Sequence, residues 1–338
     1  MEYNLKPDEK ATLQLRGLYE EYGYQKYKMG KFEEYSLYVN NRDFLAGDKV
    51  LTFTDLDGRL LAMKPDVTLS VINNTSATEE TREKLYYIEN VYRENKESHC
   101  FKEINQMGLE YLGNVDRYSI LEVITLAARS LNEIDEDYLL EISNMDYVLH
   151  LLAGMDLSES SYVELLSGIR QKNQTGIQES AKRAGLTEAQ SELLCSIPFL
   201  YGTMDETLNR AKEMAQNDEM RRDAEDLQAY CEALKNLGYG DKIQLDLSLV
   251  NDIDYYNGVI FRGYIRKLPG CVLAGGQYDK AMKILGKAGG AVGFAIYLGE
   301  LTKGTQDPQR YDVDAVLLYS EKDEITDVFM AVCALQEK

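Results

Sequence analysis

The chain has 338 residues, 44% hydrophobic and 28% charged, a balance that gives one large folded domain or two ordinary ones and excludes a disordered chain. Its formal charge of −20 sets up a field that repels phosphate backbones and argues against nucleic acid as a partner, although Lys102, Arg117, Arg221 and Arg222 could still form a local basic patch. Five scattered cysteines without CxxC spacing specify neither a disulfide framework nor a zinc site and fit a reducing cytoplasm, and no apolar run approaches the ~20 residues that span a membrane.

Leu13, Leu15, Leu18 and Tyr22 recur at helical spacing through residues 9–22 and Gly23 supplies a stop, so the chain opens on a helix. The Tyr-rich segment YQKYKMGKFEEYSLY (24–38) reads as extended, and residues 50–54 and 59–63 flank Asp55-Leu56-Asp57-Gly58 as a hairpin. The pattern then predicts a helix from Val67 to Leu85, strands at 86–94 and 104–113, and an amphipathic helix over 115–131 with Asp116 near its start. From Tyr147 to Leu237 the helical period dominates. β-Branched and aromatic residues return at 243–265, and AVGFAIYLGEL (291–301) reads as an apolar helix. A polar linker follows Thr302, then a strand (VDAVLLY, 313–319) and a helix (EITDVFMAVCALQ, 324–336). Strands on both sides of the helical segment are expected to share one antiparallel sheet, giving an α+β fold. The expected division is a core of residues 1–146 and 241–301, a helical insertion at 147–240, and a tail at 302–338.

Four segments combine polar and small residues in ways a plain core does not require. In Lys64-Pro65-Asp66-Val67-Thr68, Asp or Thr can cap the following helix or face a ligand. Period two puts Gln106, Gly108 and Glu110 on one face of a strand, which suits either a solvated face or a cavity wall that a ligand approaches closely. Asp254-Tyr255-Tyr256-Asn257-Gly258 places two rings beside a turn, as packing or as ligand walls, and the glycines of Ala274-Gly275-Gly276-Gln277-Tyr278-Asp279 allow close backbone approach. No phosphate-binding GxxxxGK[ST] loop occurs. The two histidines, His99 and His150, have no serine or cysteine motif around them, and His99 and Cys100 would point to opposite faces of a strand.

Taken in this order, these segments resemble the catalytic core of histidyl-tRNA synthetase and its class II aminoacyl-tRNA synthetase relatives, over about residues 5–301. KPDVT (64–68) is similar to the family's RPEGT segment, residues 92–113 to motif 2, LVNDIDYYNG (249–258) to LVRGLDYY, AGGQYD to GGRYD, and residues 289–301 to motif 3. The resemblance implies an antiparallel sheet flanked by helices, with a helical insertion, and a dimer formed through motif 1, here GYQKYKMGKFEEY (23–35). It also implies a histidine pocket of Asp66, Thr68, Gln106, Glu110, Tyr255, Tyr256 and Tyr278, with Asp66 toward the ligand's ammonium and the tyrosines as walls.

The departures fall on cations. The family's ERPQ arginine corresponds to Asn95, the RGLDYY arginine to Asn251, the motif 3 arginine to Glu300, and GGRYD has become GGQYD with Gln277. Each loss removes a group that would hold phosphate, so activation of an amino acid by ATP is not expected and no cofactor is implied. That profile resembles the regulatory subunits of ATP phosphoribosyltransferase. The resemblance implies a cytoplasmic hetero-oligomer with the short-form catalytic subunit, activating it and mediating feedback inhibition by histidine at the first step of histidine biosynthesis. The alternatives are a histidyl-tRNA synthetase, active or degenerate, and a synthetase-like module sensing an amino acid in another complex.

Overall fold

The structure, a computed structural model, describes residues 5–41, 49–95, 98–250, 256–303 and 315–336. Its contacts divide the chain into two units, Met1–Lys303 and Gly304–Lys338.

Helix α1 (Pro7–Glu21) has proline in its first turn, where the missing N–H costs nothing, and Gly23 follows its end with φ 81°. Strands β1 (Gln25–Lys26) and β2 (Phe32–Glu34) are short, and the rest of the Tyr-rich segment departs from the extended reading: Tyr35–Val39 coils into α2. Tyr38 is fully buried there, its hydroxyl donating to Glu33 at 2.7 Å, so burial of one ring decides the local conformation. The hairpin forms as β3 (Thr52–Thr54) and β4 (Leu60–Met63), with Gly58 at φ 85°, and β2, β4 and β3 make a small three-stranded sheet.

Helix α3 (Thr68–Asn74) is much shorter than the helix expected to reach Leu85. Past Asn74 the side chains compete for the backbone: Thr75 and Ser76 hydroxyls and the Ser76 N–H all donate to the Glu83 carboxylate, holding the chain extended into β5 (Arg82–Asn95). β5 and β6 (Cys100–Gly113) form a long antiparallel hairpin. Helix α4 (Arg117–Ile134) is capped by Asp116, which accepts from the Ser119 N–H at 2.8 Å. β7 (Tyr138–Asn144) leads into α5 (Met145–Ala153), α6 (Glu159–Arg170), α7 (Gln174–Arg183) and α8 (Glu188–Ser196), then the two-residue β8 (Tyr201–Gly202), α9 (Met204–Met214) and α10 (Asp218–Asn236). The chain returns to the sheet with β9 (Ile243–Asp246), β10 (Asn257–Ile265) and β11 (Cys271–Gln277), then α11 (Asp279–Ile284), β12 (Gly290–Tyr297) and α12 (Leu298–Leu301).

The segment 291–301, expected to be helical, is therefore strand as far as Tyr297. β12 lies between β6 and β11 with both faces covered, and a strand buried on both faces reads as a continuous apolar run. The sheet order is β1-β5-β6-β12-β11-β10-β7-β9-β8, antiparallel except for the parallel pairs β1–β5 and β7–β9. One face packs Tyr86, Met107, Leu109 and Phe294 against α1 and α4 in a core that continues into α5–α10. The other face carries Tyr87, Val91, Leu112 and Tyr278 under α3 and α11.

In the second unit α13 (Ile325–Gln336) forms with none of its residues buried. The strand expected at 313–319 does not appear in its described part, Ala315–Tyr319: the ladder of a strand needs a partner, and Val316 and Leu318 stay exposed. Residues 313 and 314 lie outside the described residues.

Candidate functional site

Alternation along β6 turns Gln106, Gly108 and Glu110 toward the α3 side of the sheet. Register sets Gln106 beside Glu89 and Tyr297, Gly108 between Tyr87 and Ala295, and Glu110 beside Gly293. Gln106 and Glu110, with Tyr87, Gly293, Ala295 and Tyr297 beside them and Asp66, Thr68, Arg93, Tyr256, Ala274 and Tyr278, line a cavity of about 60 Å³ that is partly open to solvent. The glycines divide differently from the sequence expectation. The space above Gly108 is filled by the Tyr87 ring, 2.0 Å from where a Cβ would stand, so no ligand approaches the backbone there. Gly293 clears space in the wall, since a Cβ on it would meet Glu110 Oε2 at 1.8 Å. Gly275 serves strand packing, a Cβ there meeting Phe294 at 2.4 Å.

Glu110 is 2% exposed, and burial pushes its carboxyl up to about 8, with Asp66 adding to the rise. The Tyr278 hydroxyl donates to its Oε2 and the Thr68 hydroxyl to its Oε1 at 3.3 Å, both opposing that rise. Tyr278 itself is raised well above the ordinary phenol by burial and by Glu110, and Tyr256 meets it edge to face at 6.4 Å. At neutral pH the floor of the cavity is thus an uncharged carboxyl beside an uncharged phenol. Asp66 does two things at once: Oδ1 accepts the Leu69 N–H at 3.0 Å as a cap of α3, and Oδ2 accepts from Arg93 at 2.9 Å. The Gln106 amide, 3% exposed, and the Tyr87 hydroxyl on a ring 1% exposed have no hydrogen-bond partner among the described residues, although both line the cavity. Both are therefore available to hydrogen-bond a group that enters the cavity.

Six of the seven expected pocket residues, Asp66, Thr68, Gln106, Glu110, Tyr256 and Tyr278, meet around this cavity; Tyr255 lies outside the described residues. Sequence patterning passes over Tyr87, hidden in an aromatic strand, and Arg93. Arg93 stands two residues before Asn95 on the same face of β5 and keeps a guanidinium in the wall. The loss of cations around motif 2 is therefore incomplete.

Of the substituted positions, Asn95, Gln277 and Glu300 do not line the cavity. Asn95 Oδ1 accepts from the Ser98 N–H at 2.8 Å and shapes the turn after β5, Gln277 Oε1 accepts the Val259 N–H at 3.0 Å, and Glu300 pairs with Lys303. Asn251 lies outside the described residues. Arg117, Arg221 and Arg222 each pair with an acid, Asp226, Asp218 and Glu219. His99 is exposed at φ 51° in the turn before β6, and His150 Nδ1 lies 2.6 Å from Asp223. Among the described residues no group of three His, Cys, Asp or Glu is placed to hold a metal, and no helix is long and apolar enough to cross a membrane.

A family model described as histidyl-tRNA synthetase matches residues 4–301. The ATP phosphoribosyltransferase regulatory subunit of Thermoanaerobacter sp. (strain X514) is 30% identical over 300 residues, 87% of this chain and 77% of that relative. The chain belongs to the ATP phosphoribosyltransferase regulatory subunit family. The fold agrees: a Bacillus halodurans structure described as an ATP phosphoribosyltransferase regulatory subunit/histidyl-tRNA synthetase superposes with a TM-score of 0.78 at 23% identity, covering 89% of this chain and 81% of that one. A chain of the ATP phosphoribosyl transferase (HisG:HisZ) complex from Thermotoga maritima gives 0.68 at 20% identity, covering 86% and 97%. This regulatory-subunit family member thus carries the class II synthetase-like sheet expected from its motifs, with the cavity on the face of that sheet opposite α1 and α4.

Proposed function

We propose that this chain is the non-catalytic, histidine-sensing regulatory subunit of an ATP phosphoribosyltransferase, activating a short-form catalytic subunit and mediating inhibition by histidine. The charge balance of the cavity carries the reading. Asp66 and Arg93 form a neutral pair on the wall, and Glu110 is protonated near neutral pH, so the site offers no net positive charge to a triphosphate. A zwitterionic amino acid suits it: the ammonium faces Asp66, the carboxylate faces Arg93, and an imidazole meets Glu110 and Tyr278 while Gln106 and Tyr87 supply the open hydrogen bonds. The names of the relatives, and the complex from Thermotoga maritima, support the catalytic partner.

Residues 147–240 are proposed as an insertion into a core of 1–146 and 241–301, and self-association is proposed through residues 23–35 in a cytoplasmic complex. Histidine-dependent exchange of pyrophosphate into ATP separates this reading from a synthetase: the pure chain is expected to give none. Copurification with a short-form catalytic subunit, followed by mass measurement, is expected to give one hetero-oligomer, and separate elution of the two would count against the assembly.

A further inference from the structure

The 64–66 segment and β5 meet through two ion pairs of opposite polarity. Lys64 Nζ lies 3.1 Å from Glu89 Oε2, and the Arg93 guanidinium lies 2.9 Å from Asp66 Oδ2, so each side contributes one acid and one base. Two hydrogen bonds to backbone carbonyls lie between them: the Tyr92 backbone N–H donates to the Lys64 carbonyl at 2.8 Å, and the side-chain Nε of Arg93 donates to the Pro65 carbonyl at 2.7 Å. The Lys64 side chain is fully buried and that of Glu89 is 15% exposed. Neither lines the cavity, yet Glu89 is the register partner of Gln106.

A buried ion pair stabilises a fold no better than apolar residues of the same size, so stability does not account for it. Register does. Sliding the segment along β5 would set Asp66 against Glu89, or Lys64 against Arg93, like charge against like. We infer that Lys64 and Glu89 are positioning residues of the amino-acid site, fixing the register in which Asp66 and Arg93 present their charges to a ligand's ammonium and carboxylate. This rests on the histidine-binding reading of the cavity.

The test replaces both partners, Lys64→Met with Glu89→Met, so that neither charge is left buried alone and the fold is kept. The full chain is titrated calorimetrically with L-histidine and with imidazole, which reaches only the Glu110 and Tyr278 end of the cavity. Histidine affinity is expected to fall about tenfold or more while imidazole affinity stays within about twofold, with Lys64→Arg alone close to wild type. Should the double variant not fold, Glu89→Asp, which keeps both charges but draws the carboxylate back by one methylene, is expected to give the same split. Unchanged histidine affinity, or equal loss of both ligands, overturns the inference. Wild-type protein that binds no histidine removes instead the reading on which it rests.

Discussion

Glu110 is the residue on which the chemistry of the cavity turns. Its carboxyl is raised from 4.5 to about 8 in the fold, so between those values the folded chain holds a proton that the unfolded chain releases. The stability this group contributes is complete below about pH 4.5 and is lost as pH rises through about 8. Glu110→Gln removes that slope: melting temperature measured at pH 5 and pH 8.5 is expected to drop less in the variant than in the wild type, by the equivalent of roughly 3–5 kcal/mol at most. On the proposed reading, ligand binding follows the same proton. Free imidazole titrates near 6.5 and the empty site near 8, and an imidazole–carboxyl pair holds one proton between them. Histidine affinity measured by calorimetry is therefore expected to peak between about pH 6.5 and 8 and to fall on both sides. Glu110→Ala is expected to cost at least about tenfold in that affinity, since it removes the carboxyl that would meet the imidazole and that accepts from the Tyr278 and Thr68 hydroxyls. Affinity unchanged by this substitution would move the ligand elsewhere. The residues also show what pattern alone misses. Gln106 and Glu110 declare themselves by period two, whereas Arg93 is identified as a wall residue only when β5 is laid beside the 64–66 segment, a contact across 27 positions of sequence.

At the scale of elements, local signals locate most of the structure. α1 with Gly23, the hairpin around Gly58, and α4 with its Asp116 cap all follow from chemistry within a few residues. The failures share a cause, since in each a non-local contact overrides the local pattern. Residues 291–297 become a strand because β6 and β11 flank them, and α3 stops where Glu83 gathers Thr75 and Ser76. Gly293 is the point at which element and site meet. Gly293→Ala would drive a methyl into the Glu110 carboxylate and the Leu109 carbonyl, the latter 2.5 Å from the added Cβ. A loss of roughly 1–3 kcal/mol is expected from thermal or denaturant unfolding, together with weaker histidine binding. Wild-type stability in this variant would mean that β6 and β12 are not packed as described.

For the whole molecule, the decisive contrast is between a polar cavity, proposed to take an amino acid, and a missing set of cations. Asn95, Gln277 and Glu300 now serve a turn, a strand and a surface ion pair, so restoring one arginine, as in Asn251→Arg, is not expected to restore pyrophosphate exchange. The described surface arginines noted above are matched by acids, in keeping with a formal charge of −20 that suits a protein partner better than a nucleic acid. Regulation, unlike adenylation, needs only that histidine bind with different affinity to the active and inactive states of the complex. The most direct measurement is the phosphoribosyl transfer rate of a short-form catalytic subunit titrated with this chain, with and without histidine. The rate is expected to rise to a plateau at a fixed subunit ratio and to fall when histidine is added, with Glu110→Ala blunting the fall. A rate unaffected by this chain across the titration would contradict the account.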